Sequence, residues 1–162
     1  MIKRSNHKQQ GLYAVEFAVV GSIFFLLLFA VLEIGRLFFV WNVLTEVTRR
    51  GARLATVCYF DTTNVEPFNA MLQTSLFNNQ PLISNLSISN IQIEYLMDDG
   101  AQALTPTEAN FIKFVKVDII NYQHQLLIPG LFLTLDSPTF STTLPRESLG
   151  VSRTTETSCV PT

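Results

Sequence analysis

The chain has 162 residues, of which 48% are hydrophobic and only 15% charged, and its net charge is -2. Ordinary soluble proteins carry about 25% charged residues, so the deficit points to a lipid-facing segment, and most of the apolar excess sits before residue 60. So small a net charge, with no Lys/Arg cluster interleaved with aromatics outside the N-terminal helix, excludes nucleic acid as a partner.

In chain order, Met1 to Gln10 forms a basic leader carrying Lys3, Arg4 and Lys8. The segment that follows is uncharged from Phe17 to Leu32 and apolar from Leu12 to Trp41. As a helix those roughly 30 residues span about 45 Å, longer than the ~30 Å hydrocarbon core of a bilayer. A secretory signal fits poorly: its apolar part is usually about 7 to 15 residues, and here Glu16 interrupts the start. A prepilin-type leader fits better, with the cut between Gly11 and Leu12 and the helix kept in the mature chain. Glu16 then becomes the fifth mature residue, followed by Phe17.

A carboxylate in hydrocarbon must be neutralised or paired. The α-amino group freed by cutting after Gly11, or the amine of a neighbouring subunit, is the nearest candidate cation, which makes Glu16 a device for axial registration. The plainer alternative puts Glu16 at the lipid headgroups. Glu33 and Arg36, three apart, share a helix face and mark where the helix leaves the membrane. Phe38, Phe39 and Trp41 suit the aromatic belt there. Lys3, Arg4 and Lys8 on one side are nearly balanced by Arg36, Arg49, Arg50 and Arg53 on the other, so the leader's processing, not charge, sets the N-terminus in the cytoplasm.

Beyond the bilayer, Val43, Leu44, Val47, Gly51, Leu54, Ala55 and Cys58 form one apolar stripe, which predicts a helix continuing to residue 58 and packing on a soluble domain. Arg49, Arg50 and Arg53 lie on the other side, as a solvated face or as a surface for an acidic partner or lipid headgroups. A second helix is predicted over Glu66 to Asn78, capped at Asn64 or Pro67. Strands are predicted over Ile88 to Met97 and Phe111 to Ile120, with a turn at Asp98-Asp99-Gly100. The second strand's pattern changes phase between Phe114 and Val115, which suggests a bulge or two-sided burial. Leu126 to Leu135 reads as an apolar connector, His124 as part of a solvated loop, and Thr139 to Leu144 as a third strand.

Cys58 and Cys159 are the two cysteines, and outside the cytoplasm a pair is expected to oxidise. The bridge would close about 100 residues and stabilise by up to ~4.7 kcal/mol in the chain-entropy model. Two separate thiols are the alternative. No nucleophile-base pair, phosphate loop or metal-ligand spacing stands out, so neither catalysis nor a cofactor or metal is expected.

Three ordered blocks carry a resemblance: Gly11 with Val15-Glu16-Phe17-Ala18, then Leu32-Glu33-Ile34-Gly35-Arg36-Leu37-Phe38-Phe39, then Arg50-Gly51-Ala52-Arg53-Leu54-Ala55. The chain resembles the TadE-like pseudopilins of tight-adherence, or Flp pilus, systems. Fainter likeness continues at Phe114 to Asp118, Leu127 to Leu131 and Leu144 to Ser148. The chain departs from the family in having Gly21-Ser22 where members often carry Pro, and Leu12 where classical pilins begin with Phe or Met.

The expected fold class is α+β and pilin-like, a long transmembrane N-terminal helix continuing into a small antiparallel-sheet domain. Its parts are a leader at 1-11, the helix at 12-58 and an extracytoplasmic domain at 59-162. The resemblance implies a minor pilin or pseudopilin in the bacterial inner membrane, active in pilus assembly, adhesion and biofilm formation. It further implies a prepilin peptidase, an inner-membrane platform, an assembly ATPase and other pilins as partners besides lipid, with no small-molecule substrate. Rival readings are a single-pass binding or sensor module and a membrane-tethered enzyme.

Overall fold

The computed structural model describes residues 10-58, 69, 72-77, 82-127 and 133-151. One helix, α1, runs without interruption over Gln10–Val57. It contains no proline, and a helix satisfies its backbone N-H and C=O groups within the one segment, as a span through lipid requires. Its 48 residues extend about 72 Å at 1.5 Å per residue. The amide of Cys58 still donates to the Leu54 carbonyl at 2.8 Å, closing the last turn.

Five strands follow: β1 (Ile91–Met97), β2 (Ile112–Ile119), β3 (Gln123–Gln125), β4 (Thr134–Asp136) and β5 (Phe140–Pro145). They form an antiparallel three-stranded sheet, ordered β1-β2-β5, and a separate β3-β4 hairpin. The fold is α+β, as expected. Short 3-10 turns at Ile88–Asn90 and Pro106–Phe111 take up what the sequence suggested were strand starts. Both begin with capping boxes; in the second, Glu108 accepts hydrogen bonds from the Leu104 and Thr105 amides at 2.8 and 3.0 Å. Of the expected second helix, Asn69 and residues 72-75 are helical, and Leu76 and Phe77 already form a turn, with Phe77 at φ 57°. Its proposed caps at Asn64 and Pro67 lie outside the described residues.

The phase change in β2 has a defined origin. Leu96 opposes Phe114 while Met97 opposes Ile112, so Lys113 is the extra residue of a bulge. The bulge lets Ile112 point inward with Val115, Val117 and Ile119, all buried, while Phe114 faces out. Asp98-Asp99-Gly100 forms the turn after β1, with Gly100 at φ 82° and its amide bonded to the Met97 carbonyl.

The lower half of α1 lies on the inner face of this sheet. Val40, Val43, Leu44, Val47 and Ala52 pack with Leu72, Leu76, Ile91, Val117, Ile119 and Tyr122. Ala55 and Cys58 pack with Tyr95, Ile112, Val115 and Leu149. Burying a side chain such as Leu44 or Val47 contributes about 1.5–3 kcal/mol. Gly51 is where helix and sheet come closest: a Cβ placed there would sit 3.2 Å from Cγ1 of Val117. Helix and β5 are also tied by the Thr48 and Thr142 hydroxyls, 2.9 Å apart.

Two expectations are corrected. Residues 126-135 are not a plain connector, because residues 134-136 pair as β4 with β3, and His124, opposite Leu135, is buried. Strands of three residues show too little alternation to stand out in sequence. His124 turns inward because its partner is a carboxylate 91 residues earlier in the chain.

Candidate functional site

The first half of α1 touches almost nothing. Between Leu12 and Leu32 its large apolar side chains are all exposed, from Leu28 and Phe29 at 41% to Phe17 at 80%. Monomeric proteins in water rarely expose a contiguous apolar surface of this extent, and where one occurs it marks a membrane or protein interaction site. This is the one helix among the described residues long and apolar enough to cross a membrane. Gly11, Leu12, Glu16 and Phe17 all lie on this exposed surface, and a Cβ at Gly11 would meet nothing. Residues 1-9 of the leader lie outside the described residues.

Where the bare half meets the domain, the structure assembles a polar cluster. Arg36 pairs with Glu33 at 2.5 Å through Nη2, and its Nε donates to both carboxylate oxygens at 3.2 Å. The same Nη2 donates to the Gln125 carbonyl. His124, 3% exposed, places Nε2 3.3 Å from Glu33 Oε1. Sequence spacing brings Glu33 and Arg36 together; only the fold adds His124 and Gln125. Such convergence is what burial demands, since a carboxylate removed from water is costly unless charge and hydrogen bonds compensate. Nearby Tyr122 donates to the Ser84 carbonyl at 3.1 Å; burial raises its pKa, and the Arg36 charge partly offsets the rise. One turn further along, Trp41 meets Phe38 edge-on at 5.8 Å and Phe140 at 6.4 Å.

Arg49, Arg50 and Arg53 lie on the exposed side of α1 beyond this junction. Arg50 is engaged within the chain, bonded to Glu46 at 2.8 Å and stacked 4.2 Å over the Phe77 ring. Arg53 borders an open cleft of about 590 Å³ with Leu54, Thr56, Val57, Leu144, Pro145 and Glu147. Cys58 is buried at the end of the helix; Cys159 lies outside the described residues.

On the outer face of the sheet, Lys116 reaches Asp118 at 2.6 Å and Glu94 at 3.3 Å. The hydrogen bond Lys116 donates to Asp118 is the main reason the Lys116 pKa is raised. The Asp118 contact lies within β2 and the Glu94 contact joins β2 to β1, both on the face opposite the helix.

A bare helix of membrane length, a charged joint beside it and a small sheet packed on its remainder together define an α+β protein with, among the described residues, one helix able to span a membrane. Residues 11–53 match the model of the family described as TadE-like protein. The match covers the bare half of α1, the joint and the first turns packed on the sheet. No curated protein and no solved structure matches the chain.

Proposed function

We propose that this chain is a minor pilin or pseudopilin of a Flp-type tight-adherence pilus. In this reading it is anchored by α1 in a bacterial inner membrane, with its N-terminus cytoplasmic and its sheet domain outside. The observation that carries it is the division of one unbroken helix: a bare half that needs lipid or other helices around it, and a half that is the spine of a small sheet domain. A single stiff rod of that kind can stay in the bilayer and later pack beside identical rods in a fibre, moving its domain as one body. The TadE-like match over residues 11–53 supports the same reading.

The mechanism is mechanical, without a catalytic step or cofactor. A prepilin peptidase cuts between Gly11 and Leu12, and the freed amine compensates Glu16, on this or a neighbouring helix, fixing the axial offset of subunits. The assembly platform, its ATPase and other pilins are the partners, and the Arg49-Arg53 face is available to an acidic one. A Cys58-Cys159 bridge belongs to this reading because no cysteine among the described residues is a free thiol, and it would tie the C-terminal tail to the end of α1.

Mass spectrometry of the chain recovered from cells that contain the peptidase tests the proposal. A mature chain beginning at Leu12 is expected. An intact Met1 leader in those cells would overturn it and leave α1 as a plain tether.

A further inference from the structure

Strand β3 runs down α1 toward the bare half. Phe140 lies at Trp41 and Thr142 at Thr48, so β5 climbs the helix away from its bare half. The antiparallel pairing of β2 with β5 continues through Tyr122-Ser137 and Gln123-Asp136, so advancing along β3 means retreating along the helix toward its membrane end, where Gln125 meets Arg36. The hairpin stays closed as far as Leu126, whose amide donates to the Leu133 carbonyl at 3.0 Å. At that end Leu127 is 66% exposed, Leu133 47% and Leu135 36%. The sequence from Ile119 to Leu135 carries no Asp, Glu, Lys or Arg.

The level at which this happens decides the occupant. An apolar helix needs about 20 residues to cross the hydrocarbon core, and the uncharged stretch closes at Leu32, so Glu33 stands at the edge of that core. At the same level the helix exposes Leu32 at 60% and Ile34 at 53%. The apolar end of the hairpin is therefore continuous with the lipid-facing surface of the helix, not an isolated patch on a wet domain.

We propose that the β3-β4 hairpin is a second membrane contact: Leu127, Leu133 and Leu135 rest in the leaflet on the domain side, and Glu33, Arg36 and His124 clasp the hairpin to the helix at that depth. Two anchoring points in place of one remove the domain's freedom to swing about the helix exit and hold it against the bilayer. The hairpin leaves lipid only when the whole subunit is extracted. The inference rests on α1 spanning the membrane.

Tryptophan reporters in the full-length chain test it. Trp41 is the chain's one tryptophan, so Trp41→Phe gives a dark background into which Leu133→Trp is introduced. The protein is reconstituted in phosphatidylcholine vesicles with and without mid-chain bromine. Phe25→Trp reports the helix, and Phe114→Trp reports the outer sheet face. Phe114 lies near the helix turn of Ala55, about 30 Å along the axis from Glu33.

The expected result is blue-shifted Leu133→Trp emission that brominated lipid quenches, as for Phe25→Trp, while Phe114→Trp stays unquenched. Leu127→Trp should repeat it, which guards against a local misfold at one position. Both hairpin reporters unquenched beside a quenched Phe25→Trp would overturn the second contact and leave the membrane helix standing. Blue-shifted hairpin emission that bromine does not quench would also overturn it, because protein would then be covering the leucines. An unquenched Phe25→Trp would remove the spanning helix and the inference together.

Discussion

At Glu33 the helix carries a carboxylate into a site with little water, and two partners converge on it: Arg36 one turn on and His124 on β3. Removing Arg36 leaves the carboxylate short of its strongest partner, whereas removing both charges leaves a neutral joint. Arg36→Met should therefore destabilise the domain by about 1.5–3 kcal/mol, the usual value of a hydrogen bond to a charged group. Glu33→Gln combined with Arg36→Met should cost less than the sum of the two single changes, with a coupling of about 1–3 kcal/mol in detergent-solubilised unfolding experiments. Strict additivity would mean that the pair is only a surface contact. A second residue-scale test lies at Gly51, where the helix meets Val117. Gly51→Ala gains about 1 kcal/mol of helix propensity, and the small shift it demands of Val117 consumes most of that gain. Gly51→Leu has no such room and should lower stability by about 1–3 kcal/mol through overpacking. Thermal unfolding of the two variants separates these outcomes.

Among the elements, the paired strands β1 and β2 carry groups that titrate at high pH on both faces, Tyr95 of β1 toward the helix and Lys116 of β2 on the outer side. Burial pushes the Tyr95 pKa up to about 12, and the Asp118 hydrogen bond raises that of Lys116. Both folded values lie above the unfolded ones, near 10 for Tyr and 10.4 for Lys, so their stabilisation is complete below about pH 10 and is lost as pH rises through the folded values. For Tyr95 the gap amounts to about 2–3 kcal/mol. The domain should accordingly lose stability between about pH 10 and pH 12, and Tyr95→Phe should diminish that loss, read as a smaller fall of the thermal midpoint over this range by circular dichroism. An undiminished fall would mean that Tyr95 ionises as readily in the fold as out of it. The strands themselves were readable where burial is one-sided: Ile91, Ile93, Tyr95 and Met97 alternate because one face of β1 meets the helix. The phase slip in β2 left a bulge and two-sided burial both open, and the pairing of Leu96 with Phe114 and Met97 with Ile112 makes it a bulge. The β3-β4 hairpin was not readable, since pairing between three-residue strands is set by the joint beneath them and not by their own pattern.

For the molecule as a whole, local spacing revealed what is local: the span, the apolar stripe of α1 and the nearness of Glu33 to Arg36. It could not reveal that His124 belongs with them, because nothing near residue 124 records a carboxylate 91 positions away. The order of burial along α1 makes a further prediction about how the chain divides. Before Glu33 the helix contributes almost nothing to the domain; from Val40 onward it supplies Val40, Val43, Leu44 and Val47 to the core. A chain beginning at Leu32 keeps the joint and all of that core. In mild detergent it should retain a cooperative thermal transition within a few degrees of the full-length protein, since only lipid-facing residues are lost. A chain beginning at Thr45 loses Val40, Val43 and Leu44, at about 1.5–3 kcal/mol each, together with the Glu33 joint. That loss is comparable with the whole stability of a small domain, about 5–15 kcal/mol, so this shorter chain should show no cooperative transition. Equal transitions in the two truncated chains would mean that the sheet domain stands without its helix, and α1 would then be a leash attached to a finished domain in place of the spine around which it folds.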